Sequence, residues 1–283
     1  MTDLLTSIIP VDEAVIAASR PGRRSFFARL APVAWVCVGL GVLAVGRALG
    51  ASQVPQLPGP AVTMAELGKL LPRAFATDAA HGKGIGLLLL ASLGRVFSGF
   101  LVALVIGVPL GLFIGANRRA WQAANPVIQL LRPVSPLAWF PIWLIVFKNA
   151  AQASLLVIFV TALWPIVVNT ASSAASIPRD QRNVARVVRF GRFAYVRHVL
   201  IPNSRSGVVT GMRLSMGTAW MVIVAVEMLS GKAGIGFFVW DSYNAFNFAR
   251  VLSAAVMVGA IGLLLDLGFL RLGKAVALKE THA

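Results

Sequence analysis

Read for hydrophobic and polar positions, the chain shows six apolar runs separated by polar breaks, each near the ~20 residues a helix needs to cross a bilayer core. The runs are 30–49, 85–115, 126–147, 151–171, 208–229 and 251–270. Pro55, Pro58 and Pro60 close off the first, since proline removes a backbone donor and clashes with the preceding turn. The third is crossed by Pro133, Pro136 and Pro141, which suits a helix facing protein or a cavity rather than lipid. The pattern therefore predicts an N-terminal segment at 1–28, a loop at 50–84, a helical core at 85–273 and a tail at 274–283. The expected fold class is an all-α integral membrane protein with about six transmembrane helices. The first run is too long and starts too far into the chain for a cleaved signal sequence, so it is expected to stay as a span.

The longest polar connection, 174–204, carries its own periodicity. Val184, Val187, Val188 and Gly191 fall at helical spacing, with Asp180 placed to complement a helix N-terminus. Beyond a break near Gly191, Phe193, Val196, Val199 and Leu200 form a second stripe, which Pro202 is expected to stop or kink. The connection reads as two short helices joined by a turn, a knuckle between two spans. It either lies on lipid headgroups or docks into a soluble partner.

Composition and charge sharpen this picture. With 58% hydrophobic and 13% charged residues and a mean hydropathy of +0.80, a soluble globule is excluded. The net charge of +16 is unevenly placed. Arg20, Arg23, Arg24 and Arg29, Arg118 and Arg119, the knuckle arginines Arg179, Arg182, Arg186, Arg189, Arg192, Arg197 and Arg205, and Arg271, Lys274 and Lys279 share one side of a six-span topology. Fewer basic residues occupy the other side, so both termini are expected in the cytoplasm and the charge is a topology signal, not a nucleic-acid groove. Cys37 is the single cysteine, which excludes a disulfide framework within the chain. His81, His198 and His282 are isolated, and no phosphate-binding G-x-x-x-x-G-K-[ST] occurs; Gly231-Lys-Ala-Gly-Ile-Gly236 has neither the order nor the hydroxyl. An enzyme is not expected, and any pumping energy must come from another chain.

The knuckle resembles the cytoplasmic coupling loop of the membrane subunit of binding-protein-dependent ABC importers. Aligned on Ile201-Pro202, Asn183, Val184 and Ala185 stand where that family often has Glu-Ala-Ala, and Arg189 where it often has Gly, with Gly191 two residues later. The stretches Leu131-Arg-Pro-Val-Ser-Pro-Leu-Ala-Trp-Phe-Pro141, Ser176-Ile-Pro-Arg-Asp180, Gly211-Met-Arg-Leu-Ser-Met-Gly-Thr-Ala-Trp220 with Val226-Glu-Met-Leu229, and Gly234-Ile-Gly-Phe-Phe-Val-Trp-Asp241 resemble the nitrate branch, which also holds relatives for bicarbonate, cyanate, taurine and alkyl sulfonates. The resemblance implies a type I importer permease in a bacterial inner membrane. It also implies a second permease subunit, expected as a homodimer, two cytoplasmic ATPase subunits and an extracytoplasmic solute-binding protein. No cofactor is expected on this chain; ATP and Mg belong to the ATPase partners. The coupling residues it implies are Asn183, Val184, Ala185, Arg186, Arg189, Gly191 and Pro202.

Charged and bulky residues within spans are candidates for an anion pathway. Arg132 and Arg213 lie near the cytoplasmic ends of their runs and either meet the anion or reach headgroups or acidic partners. Trp164, Met216 and Trp220 are the accompanying pathway candidates, with packing as the alternative for the tryptophans. Glu227, close to the outer end of its run, is expected to pair locally with Lys232 or Lys148, with bracing of an outer gate as the alternative. Gly99, Ala103, Gly107, Gly111 and Gly115 recur at every fourth position, a close-packing stripe that serves either the chain itself or a subunit interface. Ser92 and Arg95 face either the pathway or the headgroups. A secondary transporter and a passive scaffold are the rival classes; repeated halves or intramembrane carboxylates would mark the first.

Overall fold

The computed structural model describes residues 58–78 and 82–281, with side chains as far as 276. The chain divides into two units, 1–62 and 63–283, and the helical core belongs to the second. The expected N-terminal segment 1–28, the run 30–49 and Cys37 lie outside the described residues. Within the expected 50–84 loop, the chain forms a helix α1 (Pro60–Leu70) and a two-residue antiparallel pair, β1 (Thr77–Asp78) with β2 (Gly82–Lys83). The remaining elements are helices: α2 (Ile85–Ala116), α3 (Arg118–Leu131), α4 (Pro136–Phe147), α5 (Ala150–Ala175), α6 (Arg179–Val187), α7 (Arg192–Ser230), α8 (Ile235–Asn244) and α9 (Phe248–Thr281). Among the described residues α2, α5, α7 and α9 are long and apolar enough to span a membrane, and α3 with α4 makes a fifth if the bent pair counts as one.

The third predicted run, 126–147, is thus two helices, and the first of them starts earlier, at Arg118. Asn117 ends α2 in extended conformation and caps α3, its side chain accepting from the Arg119 N–H at 2.9 Å. The two helices meet at 88° across residues 132–135. Pro133 has no donor for the next helical bond, and Pro136 opens α4 where its missing N–H costs nothing. Pro141 sits inside α4 and forfeits only one bond, to the Leu137 carbonyl.

α5 is the central element, with α2 packed on one side and α7 on the other. The glycines of α2 decide how close it comes. A Cβ at Gly99 would lie 2.7 Å from the Ile158 side chain, at Gly107 2.9 Å from Ile166, at Gly111 2.7 Å from Thr170 and at Gly115 2.7 Å from the Ala174 Cβ. The every-fourth-residue stripe therefore serves contact within the chain. On the other side Gly207 and Gly211 of α7 approach Ser173 and Ile166, and the Ser215 hydroxyl donates to the Ala162 carbonyl at 2.6 Å. Close backbone approach and an interhelical hydrogen bond are the means available where lipid removes the hydrophobic driving force. α9 is attached more lightly. The Trp220 indole N–H donates to the Val258 carbonyl at 3.0 Å, Arg213 pairs with Asp266, and Phe100 meets Phe269 edge to face.

The second knuckle helix does not stop at Pro202. α7 runs unbroken through it for 39 residues, about 58 Å at ~1.5 Å per residue. A wide π turn at Val196–Leu200 explains this: the Ile201 N–H reaches back five residues to Val196, and Pro202 then falls in the first turn of regular helix, where a donor is dispensable.

Candidate functional site

The knuckle is built around one short apolar contact. Ala185 of α6 is buried with Val199 and Leu200 of α7 and with Ala174 and Ile177 at the end of α5. Arg182 bonds the Ala175 carbonyl at 2.8 Å, satisfying an orphan acceptor at the C-terminus of α5. The turn after α6 closes by two bonds, Phe190 N–H to Ala185 and Arg189 N–H to Arg186, the geometry of a Schellman cap. Its left-handed residue is Arg189, at φ +55°, and not Gly191, which is extended and begins α7. A glycine is the usual occupant of that conformation, which gives a physical reason for the glycine of the family pattern at this position. The rest of the apolar stripe points away from the chain. Val184, Val187 and Phe193 are 61%, 83% and 77% exposed, beside exposed Asn183, Arg186 and Arg189. This end of the molecule presents an apolar patch edged by arginines, while Pro202 lies below it, half-buried within α7.

The five pathway candidates do not converge. Arg132 and Trp164 line one cavity of about 560 Å³, with Trp139, Trp143, Thr161 and Thr218. Arg132, at the break between α3 and α4, is exposed and makes no side-chain hydrogen bond or ion pair among the described residues. Trp139 and Trp143 stack at 6.2 Å, and with Trp164 they join aliphatic side chains in an apolar wall that has one cation at its edge. Arg213, Met216 and Trp220 line a second cavity, also about 560 Å³, between α7 and α9. At ~100° per residue these positions lie well around α7 from Thr218 and Val222, which face the first cavity. Arg213 is bound bidentately by Asp266, Nε to Oδ1 at 2.6 Å and Nη2 to Oδ2 at 2.8 Å, so its charge and fork geometry are already engaged. Met216 and Trp220 are 1% and 3% exposed and belong to the core.

A third constellation joins residues that stand apart in the sequence. Glu227, three residues before the end of α7, is 1% exposed. It meets neither Lys232 nor Lys148. Arg95 Nη1 donates to its Oε1 at 2.6 Å, while Oε2 accepts from the Ser92 hydroxyl at 2.8 Å and from the Gly236 N–H at 3.0 Å. Ser92 in turn accepts from the Ile235 N–H at 3.0 Å, and Arg95 Nη2 bonds the Ala233 carbonyl at 2.7 Å. The carboxylate thus sits at the N-terminus of α8, where two orphan amides are aimed at it and its serine partner. Gly234 and Gly236 are required by this approach, because a Cβ on either would collide with Glu227 or the Val224 carbonyl. The signal was present in the chain as Ser92 and Arg95 one turn apart on one face of an apolar helix, an acid in another span, and a Gly-Ile-Gly string.

The sequence pattern of the family described as "binding-protein-dependent transport system inner membrane component" matches residues 107–277. The chain belongs to this family. The matched region contains the knuckle, both cavities and Glu227 of this ABC importer permease subunit, a membrane permease rather than an enzyme. The permease is 40% identical over 225 residues to the nitrate import permease protein NrtB of Synechocystis sp., covering 80% of this chain and 82% of that one. It is 39% identical to the bicarbonate transport system permease protein CmpB of Synechococcus elongatus, covering 80% and 83%. Among solved structures it is similar to the methionine ABC transporter MetNI in an inward-facing conformation, with TM-score 0.61 and 19% identity over 68% of this chain and 95% of that one. It is also similar to an amino acid ABC transporter, with TM-score 0.53 and 17% identity over 78% and 98%. These two likenesses carry the type I importer permease fold.

Proposed function

We propose that the permease passes a small inorganic anion, nitrate in the first place, by alternating access driven by separate ATPase subunits. The observation that carries the anion reading is Arg132, a guanidinium without an acidic partner among the described residues, at the edge of an apolar cavity that holds three tryptophans. Nitrate is a monovalent oxyanion that needs only hydrogen-bond donors, and the Arg132 guanidinium offsets the cost of bringing that charge to an apolar wall. Taurine brings an ammonium group that asks for a carboxylate, and none lines this cavity. Bicarbonate and cyanate are the near alternatives, since NrtB and CmpB are about equally similar to this chain.

The exposed apolar patch of the knuckle supports docking of ATPase subunits there, one on each permease of a homodimer, with ATP and Mg held by the ATPases. Its support is α7: at about 58 Å it exceeds the ~30 Å hydrocarbon core and carries the knuckle beyond it. In this reading the knuckle and both termini face the cytoplasm, and a solute-binding protein delivers the anion at the opposite end. ATP-driven closure of the ATPases brings the two knuckles together and opens the permeases outward; hydrolysis relaxes them inward.

The test is labelled nitrate uptake into vesicles holding the full assembly, with bicarbonate, cyanate and taurine as competitors. Arg132→Gln is expected to reduce uptake at least tenfold while leaving assembly intact. Arg186→Glu, or deletion of 183–191, is expected to uncouple ATP hydrolysis from uptake. Uptake by the permease without ATPase subunits would establish a secondary transporter instead, and strong inhibition by bicarbonate with none by nitrate would reassign the cargo.

A further inference from the structure

We infer that Glu227 is a positioning residue for the outer gate, joining α8 to the rigid body that the ATPase subunits move. The inference rests on the importer reading above and deepens it. Three observations meet at this carboxylate. First, α7 is helical from the knuckle to Ser230, its one irregularity being the π turn at Val196–Leu200 beside the knuckle, so a displacement of Ile201 is carried to Glu227 along one regular helix. Second, α2, α5 and α7 are locked together by glycine contacts, and Glu227 ties the far ends of two of them, bonding Ser92 and Arg95 of α2 from α7. Third, the same carboxylate holds the Gly236 amide, and its partners Ser92 and Arg95 hold the Ile235 amide and the Ala233 carbonyl.

The chain leaves α7 at Gly231 in a left-handed turn and has no other buried polar anchor, among the hydrogen bonds of the described residues, between there and the start of α8. Ile235 packs in the core at the start of α8, and the cluster supplies the polar bonds that fix residues 233–236 against α7 and α2. With it, α8 moves as α7 moves. α8 and the turn after it carry Trp240, Tyr243 and Phe246, which are 46%, 53% and 74% exposed, and lead directly into α9, the most lightly packed of the long helices. A rigidly held α8 therefore delivers the knuckle's displacement to an aromatic outer face and to the head of α9. The chemistry is specific to a carboxylate: its two oxygens accept three donors from two elements, whereas a glutamine in its place would turn an amide N–H toward donors.

The experiment compares the parent permease with Glu227→Gln and the milder Ser92→Ala, each assembled with its ATPase subunits and solute-binding protein in vesicles. Three readings are taken: basal ATPase activity, its stimulation by the loaded binding protein together with nitrate uptake, and backbone hydrogen exchange of 235–244 against 153–171. Expected for Glu227→Gln is basal ATPase within twofold of the parent, stimulation and uptake reduced at least tenfold, and faster exchange in α8 with α5 unchanged. Ser92→Ala is expected to move the same readings in the same direction by a smaller factor.

Uptake within twofold of the parent in Glu227→Gln overturns the inference, as does loss of uptake accompanied by equal deprotection of α5, which marks general destabilisation. If Glu227→Gln fails to assemble, Ser92→Ala decides: normal coupling with unaltered α8 exchange overturns it. Should the parent itself show no ATP-dependent uptake, the importer reading fails; the exchange comparison, which needs neither nucleotide nor cargo, still decides whether the carboxylate holds α8.

Discussion

Replacing Gly111 by alanine sets two effects of opposite sign against each other. In an exposed helix interior the change is stabilising by about 0.8–1.0 kcal/mol, because alanine loses less backbone entropy. At Gly111 the new Cβ would lie 2.7 Å from the Thr170 Cβ and 2.9 Å from the Val167 carbonyl oxygen. Carbon contacts are at rest near ~3.5–4.0 Å, so α2 and α5 must separate by roughly an ångström. Thr170 is fully buried and β-branched, with few rotamers in a helix, and has no room to yield. Overpacking of this kind costs about 1–3 kcal/mol, which outweighs the propensity gain and leaves a net loss of about 1 kcal/mol. For a domain of this size that is a fall of about 2–4 °C in Tm, read by thermal unfolding in detergent. The control lies in the same helix. Gly94 is exposed with nothing within 4 Å of its Cβ position, so Gly94→Ala is expected to raise Tm or leave it unchanged. A Gly111→Ala protein as stable as the parent, or more so, would refute the claim that this stripe sets the helix separation.

Other positions give independent checks. Arg189→Gly relieves a left-handed residue that is not glycine and is expected to stabilise the knuckle by about 1 kcal/mol, seen as slower hydrogen exchange of 179–190; faster exchange would contradict the cap assignment. Val187→Asp, at an 83% exposed site, is expected to change fold stability by less than about 0.5 kcal/mol and to weaken co-purification with ATPase subunits at least tenfold. Arg213→Met leaves Asp266 unpaired, so the double change Arg213→Met with Asp266→Leu is expected to be more stable than Arg213→Met alone, with a coupling of about 0.5–3 kcal/mol; additive losses would show that the pair is not an energetic unit.

Much of the architecture is legible because it follows from solvent alone. A segment such as 85–115 must satisfy its backbone internally in lipid, so its length and apolarity suffice to make it a helix, and the structure has α2 at Ile85–Ala116. Proline positions are read less well from local rules. Pro133 and Pro136 break a helix, Pro141 does not, and Pro202 passes inside α7 because a π turn before it displaces the bonding register. The Val184–Val187–Val188 stripe is visible as periodicity, yet only the folded knuckle shows that Ala185 packs inward and the valines face out.

What the amino-acid order determines by itself is whatever one residue type or one periodicity can force: helices from apolar length, and close approach from glycines every four positions. What only the tertiary structure decides is which partner each of these finds. The glycine stripe could have met another subunit and instead meets α5. Glu227 has Lys232 nearby in the chain, but it lies 135 residues from Ser92 and 132 from Arg95, which hold it. Arg132 and Arg213, alike in sequence context, are separated by Asp266, placed against Arg213 alone when α9 returns along α7. A buried charge takes the partner that arrives with the best geometry after desolvation, and that is settled by how the helices pack.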